Sequence, residues 1–270
     1  MGLEAAKVLG TQGPVLIGGR TEKKLENALQ ELKASGIEAV AMACDVSNKD
    51  SVAAFADKAS EMGEIGNVIH SAGVSPAMAD AESILRINMV GTVNVVEAFY
   101  PPMKQGSVLV NVASMAGYFL QMNEQLKTAF ADPSSPELIA RTLPLAPDAN
   151  NAYPLSKRFV IHYTSRNVLR FAQKGARIVS ISPGTFETPM IASERQSSTV
   201  EGIIKSTPVG RVGDPREIAW LIEFLCSEKA AFITGTDILI DGGFTQLAAR
   251  DQILVFKSCI FLSKKGKCSF

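Results

Sequence analysis

The stretch Ser107-Val108-Leu109-Val110-Asn111-Val112 is dense in valine and leucine and predicts a strand buried on both faces. Similar runs recur on either side of it, and segments with helical periodicity separate them. The alternation predicts an α/β fold, a Rossmann-like doubly wound parallel sheet in three α/β/α layers, with ligands at the carboxyl ends of the strands. The predicted strands are residues 15–17, 38–44, 67–70, 107–112, 177–182 and 237–240. The predicted helices are residues 21–35, 45–62, 82–100, 152–173 and 214–227.

The composition indicates a soluble globular protein. The 270 residues are 46% hydrophobic and 20% charged, with a formal net charge of zero, which argues against a nucleic-acid or acidic-membrane partner. No apolar run approaches the roughly 20 residues that span a bilayer, and no secretory signal opens the chain. The four cysteines form no CxxC pair and there are two histidines, so we expect no metal site, reduced thiols and a cytoplasmic location.

A tyrosine and a lysine stand one helical turn apart in Tyr153-Pro154-Leu155-Ser156-Lys157. On a helix, residues at i and i+4 share a face. The ammonium would favour the phenolate, so we expect the pKa of Tyr153 to fall from about 10 towards neutrality. A tyrosine of that kind can donate or accept a proton, although this spacing also occurs on ordinary solvated helix faces.

Several further motifs, taken in order with this pair, make the chain resemble the short-chain dehydrogenase/reductase family. The resemblance covers residues 1–246, which we interpret as a single domain. The motifs are Asp45-Val46, Ser71-Ala72-Gly73, Asn88 within Ile87-Asn88-Met89-Val90-Gly91-Thr92, Ser114 within Val112-Ala113-Ser114-Met115-Ala116-Gly117, Tyr153 with Lys157, Pro183-Gly184-Thr185-Phe186-Glu187-Thr188, and Asp241-Gly242-Gly243.

The resemblance implies four catalytic residues. Tyr153 would supply the proton and Ser114 a second hydrogen bond to the oxygen that becomes negative during hydride transfer. Lys157 would also bind the nicotinamide ribose, and Asn88 would hold a water that relays protons. The cofactor-binding residues implied are Gly2, Gly19, Arg20, Thr21, Asp45, Val46, Ser71, Ala72, Gly73, Tyr153, Lys157, Pro183, Gly184, Thr185 and Thr188. Singly, Ser114, Asn88 and Pro183-Gly184 could equally be turn, capping and loop residues.

The end of the second strand of such a fold distinguishes the two nicotinamide cofactors. An acidic residue there would bind the ribose 2′-hydroxyl of NAD, but Gly19 takes that place and Arg20 follows. A guanidinium can bind a phosphate bidentately, and Thr21 could add a hydroxyl. The sequence therefore favours NADP(H) over NAD(H); the alternative is that Arg20 is a solvated loop residue and the enzyme uses NAD.

The chain departs from the family pattern at three places. The first strand and the glycine-rich loop are missing, so Gly2 would be the last glycine of that loop, and two strand edges would be left unpaired. An insertion at about residues 119–151 is expected to form helical turns near the active-site mouth. Residues 247–270 form an atypical tail for which we expect no membrane anchoring.

The resemblance to the short-chain dehydrogenase/reductase family implies an NAD(P)-dependent oxidoreductase that interconverts a secondary alcohol and a ketone. The insertion and the Pro-Gly-x-x-Glu-Thr-Pro segment resemble those of bacterial 3-alpha-hydroxysteroid dehydrogenases, which implies a steroid or other alicyclic substrate. The alternatives are a non-catalytic relative and a 3-oxoacyl-thioester reductase. The family also implies a homo-oligomer, a dimer or a tetramer.

Overall fold

The computed structural model describes residues 1–188, 191 and 198–250, and within them short strands alternate with helices. The strands are β1 (Val15–Gly19), β2 (Ala39–Ala43), β3 (Asn67–His70), β4 (Val108–Val112), β5 (Arg177–Pro183) and β6 (Asp237–Ile240). The helices are α1 (Gly2–Leu9), α2 (Glu22–Ala34), α3 (Lys49–Met62), α4 (Ala81–Leu85), α5 (Gly91–Phe99), α6 (Glu124–Ala129), α7 (Leu138–Thr142), α8 (Ala149–Arg166), α9 (Val168–Gln173), α10 (Ser198–Ser206), α11 (Pro215–Cys226) and α12 (Phe244–Arg250).

Every strand pairing in the described residues is parallel, which confirms the predicted α/β architecture. β1 pairs with β2, and β3, β4, β5 and β6 follow one another in a second sheet. Within the described residues, β1 and β3 are therefore each a terminal strand, as expected if no strand occupies the place between them.

Helix α1 joins the two sheets. On one of its faces Met1, Ala5 and Leu9 pack into the apolar cluster that covers the four-stranded sheet. Leu3 and Ala6 pack instead against the cluster beside the two-stranded sheet. The spacing of these residues, three or four apart on each face, gives the helix two apolar sides, so it bridges the two sheets.

Two predicted helices are interrupted in the structure. The helix predicted over residues 82–100 consists of α4, a π-helical turn (Arg86–Val90) and α5. The helix predicted over residues 152–173 begins earlier, where the Asp148 carboxylate caps it by accepting from Asn151 N, and it divides at Asn167 into α8 and α9. A π turn adds only one residue to a helix and leaves its residue types helical. Hydrophobic periodicity, read over a window of many residues, therefore does not predict where the turn lies.

The helix predicted from residue 45 begins later in the structure, and the caps of α2 and α3 differ. α3 begins at Lys49 with Asn48 as its cap, whose Oδ1 accepts from Ser51 N at 3.0 Å. Asp45 does not open the helix because its carboxylate instead binds Ser47. Thr21 stands at the cap position of α2, but its side chain makes no capping hydrogen bond.

The insertion forms α6, α7 and a 3₁₀ turn (Leu143–Leu145), in agreement with the predicted helical turns. Phe130 is 1% exposed and its ring meets Phe159 of α8 edge-on, with the ring centroids 5.1 Å apart. His162, one turn further along α8, contacts the same ring. The insertion is thus attached to the helix that carries Tyr153 and Lys157. Of the predicted tail, residues 247–250 belong to α12 and residues 251–270 lie outside the described residues.

Among the residues that the structure describes, no helix is both long enough and apolar enough to cross a bilayer.

Candidate active site

The carboxyl ends of the parallel strands gather most of the predicted site residues. Gly19 is the last residue of β1, and the other predicted residues lie in the turns that follow the strands. These residues are Arg20 and Thr21 after β1, Asp45 and Val46 after β2, Ser71, Ala72 and Gly73 after β3, Ser114 after β4, and Gly184 after β5. Parallel strands bring their carboxyl ends to one edge, which is where ligands of this architecture lie.

Tyr153 and Lys157 lie on α8 as predicted, one turn apart. The Lys157 Nζ is 5.8 Å from the centroid of the Tyr153 ring and donates a hydrogen bond to the carbonyl oxygen of Val112 at 3.0 Å. Lys157 is buried, and this burial lowers the pKa of its ammonium to about 8. At neutral pH the ammonium is still mostly protonated, so a buried cation stands beside the phenol.

Asn88 lies in the π-helical turn and connects two parts of the site. Its Oδ1 accepts from Val74 N at 2.9 Å. Its Nδ2 donates to the Val74 carbonyl and to Ser156 Oγ, both at 3.0 Å. Both amide protons are therefore used to hold the turn after β3 against the helix that carries Lys157.

Two glycines allow other parts of the site to approach the backbone closely. A Cβ on Gly73 would lie 3.2 Å from Asn88 Oδ1 and 3.3 Å from Lys157 Nζ. A Cβ on Gly184 would lie 2.7 Å from the Asp241 Cα. These distances show that the backbone at Gly73 lies against Asn88 and Lys157, an approach that leaves little room for a side chain at residue 73.

Ser114 caps the 3₁₀ turn (Met115–Phe119) that follows β4. Its Oγ accepts a hydrogen bond from Ala116 N at 3.1 Å, and the residue is largely buried. Because that bond uses a lone pair, the hydroxyl proton is available to donate to a substrate oxygen.

The adenosine end of the predicted cofactor site lies around Asp45. Its Oδ1 accepts from Ser47 N at 2.9 Å and from Ser47 Oγ at 2.7 Å. Burial acts to raise the pKa of Asp45, but the bonds from Ser47 and the charge of Arg20 outweigh it and the pKa is lowered. Arg20 is exposed beside this anion, and Val46 packs against Gly91.

The segment after β5 is held by its backbone. Pro183 is the last residue of β5, and the Thr185 carbonyl accepts from Gly213 N at 2.9 Å. Thr188 Oγ1 accepts from Ile191 N at 3.4 Å.

Gly2 is the first residue of α1 and lies beside Ser71, and a Cβ on Gly2 would collide with the Ser71 hydroxyl. Gly2 is thus close to the turn after β3.

Three residues with contacts to this site were not predicted. Ser156 binds Asn88, while His70 and Thr92 form a buried pair behind it, with His70 Nε2 3.1 Å from Thr92 Oγ1. Burial, and secondarily the charge of Lys157, lowers the pKa of His70 to about 3. No sequence signal indicates this pair, because the two residues are far apart in the chain.

The donor set suits a nicotinamide cofactor better than a metal. Among residues 1–188, 191 and 198–250 there is no cluster of three or more His, Cys, Asp or Glu side chains that could hold a metal ion. Lys157 makes one hydrogen bond within that same part of the chain, which leaves two N–H groups for ribose hydroxyls.

The chain is similar in sequence to known oxidoreductases. A family profile described as short chain dehydrogenase matches residues 1–126, and one described as Enoyl-(Acyl carrier protein) reductase matches residues 142–245. The chain is 34% identical over 261 residues to the short-chain dehydrogenase/reductase bsc3 of Alternaria brassicicola, covering 93% of this chain and 94% of that protein.

Two further similarities are more distant. The chain is 24% identical to the cis-4-hydroxycyclohexanecarboxylate dehydrogenase of Sinomonas cyclohexanicum, over 91% of this chain and 92% of that protein. The crystal structure of a variant of actinorhodin polyketide ketoreductase with NADPH superimposes with a TM-score of 0.73 at 25% identity, covering 90% of this chain and 92% of the other. The extent of these matches, with the order of the site residues along the strands, shows that the chain belongs to the short-chain dehydrogenase/reductase family of NAD(P)-using oxidoreductases.

Proposed function

We propose that the protein interconverts a secondary alcohol and a ketone with NADP(H), using Tyr153, Ser114, Lys157 and Asn88. The observation that carries this proposal is the placement of Lys157. A buried ammonium 5.8 Å from the Tyr153 ring costs desolvation free energy that its hydrogen bond to the Val112 carbonyl does not by itself account for, and it has N–H groups left for a ribose.

The protein's own groups act on the substrate oxygen. In the direction of reduction, Ser114 and Tyr153 donate hydrogen bonds to the carbonyl oxygen, and Tyr153 then transfers its proton as negative charge develops there. The Lys157 cation stabilises the resulting phenolate. The nicotinamide supplies the hydride in this direction and accepts it in the other. Asn88 keeps the turn after β3 fixed against α8, so the distances between these groups are maintained.

The preference for NADP(H) rests on Arg20. Its guanidinium is exposed at the carboxyl end of β1, where no acidic residue precedes it, and it lies close enough to Asp45 to lower the pKa of that carboxyl group. A 2′-phosphate would give Arg20 a doubly charged partner in place of a single carboxylate. The relative crystallised with NADPH is consistent with this assignment.

The substrate we propose is a bulky alicyclic alcohol or ketone, such as a hydroxysteroid. Leu143 and Leu145 of the insertion are half-buried and belong to the same apolar cluster as Tyr153 and Leu120. The 3₁₀ turn that carries the two leucines contacts α8, the helix of Tyr153, and apolar residues near the proton donor favour a substrate with an apolar ring body. The relative from Sinomonas, which is a dehydrogenase of a hydroxycyclohexane carboxylate, supports the alicyclic class.

A 3-oxoacyl thioester is the second candidate substrate. The similarity to a polyketide ketoreductase favours it. The two classes are distinguished by comparing NADPH oxidation with a steroid ketone, an alkylcyclohexanone and an acetoacetyl thioester. The preferred substrate is the one with the highest kcat/KM.

We also propose a homo-oligomer. The outer face of α11 exposes Trp220 and Phe224, and Phe232 nearby in sequence is fully exposed. Exposed aromatic side chains one turn apart on a helix, such as Trp220 and Phe224, are typical of a subunit interface. Light scattering of the purified protein tests this point.

Tyr153→Phe tests the catalytic assignment. We expect kcat to fall at least about a hundredfold, because a general acid contributes roughly 10²- to 10⁴-fold, while the Kd for NADPH stays within about threefold. Tyr100→Phe is the matched control, because the Tyr100 hydroxyl lies outside the site and donates to the Arg170 carbonyl. Equal loss in both variants, or unchanged turnover in Tyr153→Phe, would refute the assignment.

A further inference from the structure

A buried histidine lies directly behind the catalytic asparagine. His70 is the last residue of β3 and is 5% exposed. Its Nε2 is 3.1 Å from Thr92 Oγ1, and Thr92 Oγ1 in turn lies 2.7 Å from the backbone carbonyl oxygen of Asn88. Thr92 is 1% exposed, so water does not compete for these contacts.

The contacts determine which ring nitrogen carries the proton. A carbonyl oxygen only accepts, so the 2.7 Å contact between Thr92 Oγ1 and the Asn88 carbonyl uses the single hydroxyl proton of Thr92. The hydroxyl has no second proton to give to the imidazole. His70 must therefore donate from Nε2–H to the Thr92 oxygen, which leaves Nδ1 as the nitrogen without a proton.

The hydrogen-bonded chain ends on the π-helical turn of Asn88. The carbonyl that Thr92 binds belongs to the residue whose side chain connects Val74 to Ser156. Ser156 directly precedes Lys157 on α8. A π turn is not enforced by the regular hydrogen-bond ladder of an α-helix, so side-chain contacts of this kind help to keep it in place.

A neutral ring is also the form that this location tolerates. The Lys157 ammonium is the charged group that acts on His70, and a second buried cation beside it would be repelled. The imidazole supplies a donor without a charge, which an arginine or a lysine at the same place would not.

We propose that His70 is a positioning residue for catalysis: as the Nε2–H tautomer it anchors Thr92 on the Asn88 carbonyl and so fixes the turn that sets the distance between Asn88 and the Tyr153–Lys157 helix. This role rests on the proposed function of Asn88, Tyr153 and Lys157. His70 itself touches neither substrate nor cofactor in this scheme.

The kinetic test uses three variants. His70→Leu removes the donor, His70→Gln restores a neutral N–H at similar reach, and Thr92→Val removes the hydroxyl without changing the shape. We expect kcat to fall about tenfold in His70→Leu and Thr92→Val, the loss expected for one buried hydrogen bond, with KM for substrate within about twofold. His70→Gln should recover most of kcat.

The double variant His70→Leu/Thr92→Val tests whether the two residues act through the same series of hydrogen bonds or whether each substitution causes its own packing defect. Residues that act through the same contact are not additive, so its kcat should match that of the single variants. A multiplied loss, or failure of His70→Gln to recover activity while the protein is folded, would overturn the proposal. His162→Leu, at the other histidine of the chain, is the matched control and should retain wild-type kcat.

Nuclear magnetic resonance gives a readout that does not depend on turnover. With two histidines in the chain, ¹⁵N imidazole signals of His70 are assigned by comparison with His70→Gln. We expect an Nε2–H tautomer that does not titrate between about pH 5.5 and 8, because the ring is buried and neutral. An Nδ1–H tautomer, or a titrating ring, would overturn the proposal.

The side-chain amide of Asn88 distinguishes this proposal from the proposed function. Its protons should exchange slowly with solvent in the wild type and in His70→Gln, and much faster in His70→Leu. If the three proteins showed these exchange rates but the wild type had no oxidoreductase activity, the catalytic assignment would be wrong and the anchoring of Asn88 would still be supported. If exchange were the same in all three proteins, His70 would have no positioning role.

Discussion

Replacing Lys157 with methionine should change how the stability of the protein depends on pH. Methionine has a similar unbranched shape, so it fills the space of the lysine stem without the charge. The variant also loses the hydrogen bond to the Val112 carbonyl, but that loss does not vary with pH. The difference in free energy of unfolding between wild type and variant therefore isolates the titration of one ammonium group.

The magnitude follows from the pKa of Lys157, which burial lowers from 10.5 to about 8. A group whose pKa is lower in the folded state binds more protons when the chain is unfolded, so stability rises with pH between the two pKa values. The wild type should gain about 2 kcal/mol relative to Lys157→Met between about pH 7 and pH 9.5, from roughly 1.4 kcal/mol per pH unit above the folded pKa.

The assay is urea unfolding of both proteins at several pH values in this range, followed by tryptophan fluorescence or circular dichroism. Lys23→Met is the control, because Lys23 is exposed on α2 and its variant should follow the wild-type curve. If the difference between wild type and Lys157→Met stays constant across the range, the ammonium is not desolvated. The account of a buried cation next to Tyr153 would then be wrong.

Two further predictions concern the cofactor and the insertion. Arg20→Glu should raise the KM for NADPH roughly 10- to 100-fold and leave the KM for NADH nearly unchanged, because a charge-assisted hydrogen bond is worth about 1.5 to 3 kcal/mol. Lys23→Glu makes the same charge change on the exposed face of α2. An equal rise in the KM for NADPH in that variant would show that the effect comes from the net charge of the protein and not from a contact of Arg20 with the 2′-phosphate. Phe130→Ala should lower the free energy of unfolding by about 3 to 5 kcal/mol, since the ring is buried against α8. Leu169→Ala, at a 75% exposed residue, should change it by less than about 0.5 kcal/mol, and similar values for the two variants would show that the insertion is not packed on α8.

Local sequence signals predicted the secondary structure well where packing reinforced them. The strands at residues 67–70 and 237–240 were predicted with the bounds that the structure gives, because a short apolar run between polar turns has few other ways to be buried. The start of α11 also agrees, since Asp214 and Glu217 form a capping box.

For the candidate site, the sequence predicted where residues lie but not which hydrogen bonds they make. Ser114, Tyr153 and Lys157 lie where the sequence motifs place them, at strand ends and on one helix face. The motif did not indicate that both amide protons of Asn88 are used by Val74 and Ser156, nor that the Asn88 carbonyl is bound by Thr92. These contacts join residues as much as 68 positions apart, so they arise only when the sheet and helices assemble.

By itself, the sequence determined the class of fold, the chain order of the strands and the candidate catalytic side chains, because periodicity and residue type act over short distances. The tertiary structure decided what needs the whole packed core. It divides the strands into two sheets bridged by α1, and it attaches the insertion to α8 through Phe130. It also buries Lys157 deeply enough to lower the pKa of its ammonium, because desolvation depends on everything that surrounds a charge and not on the residues next to it in the chain.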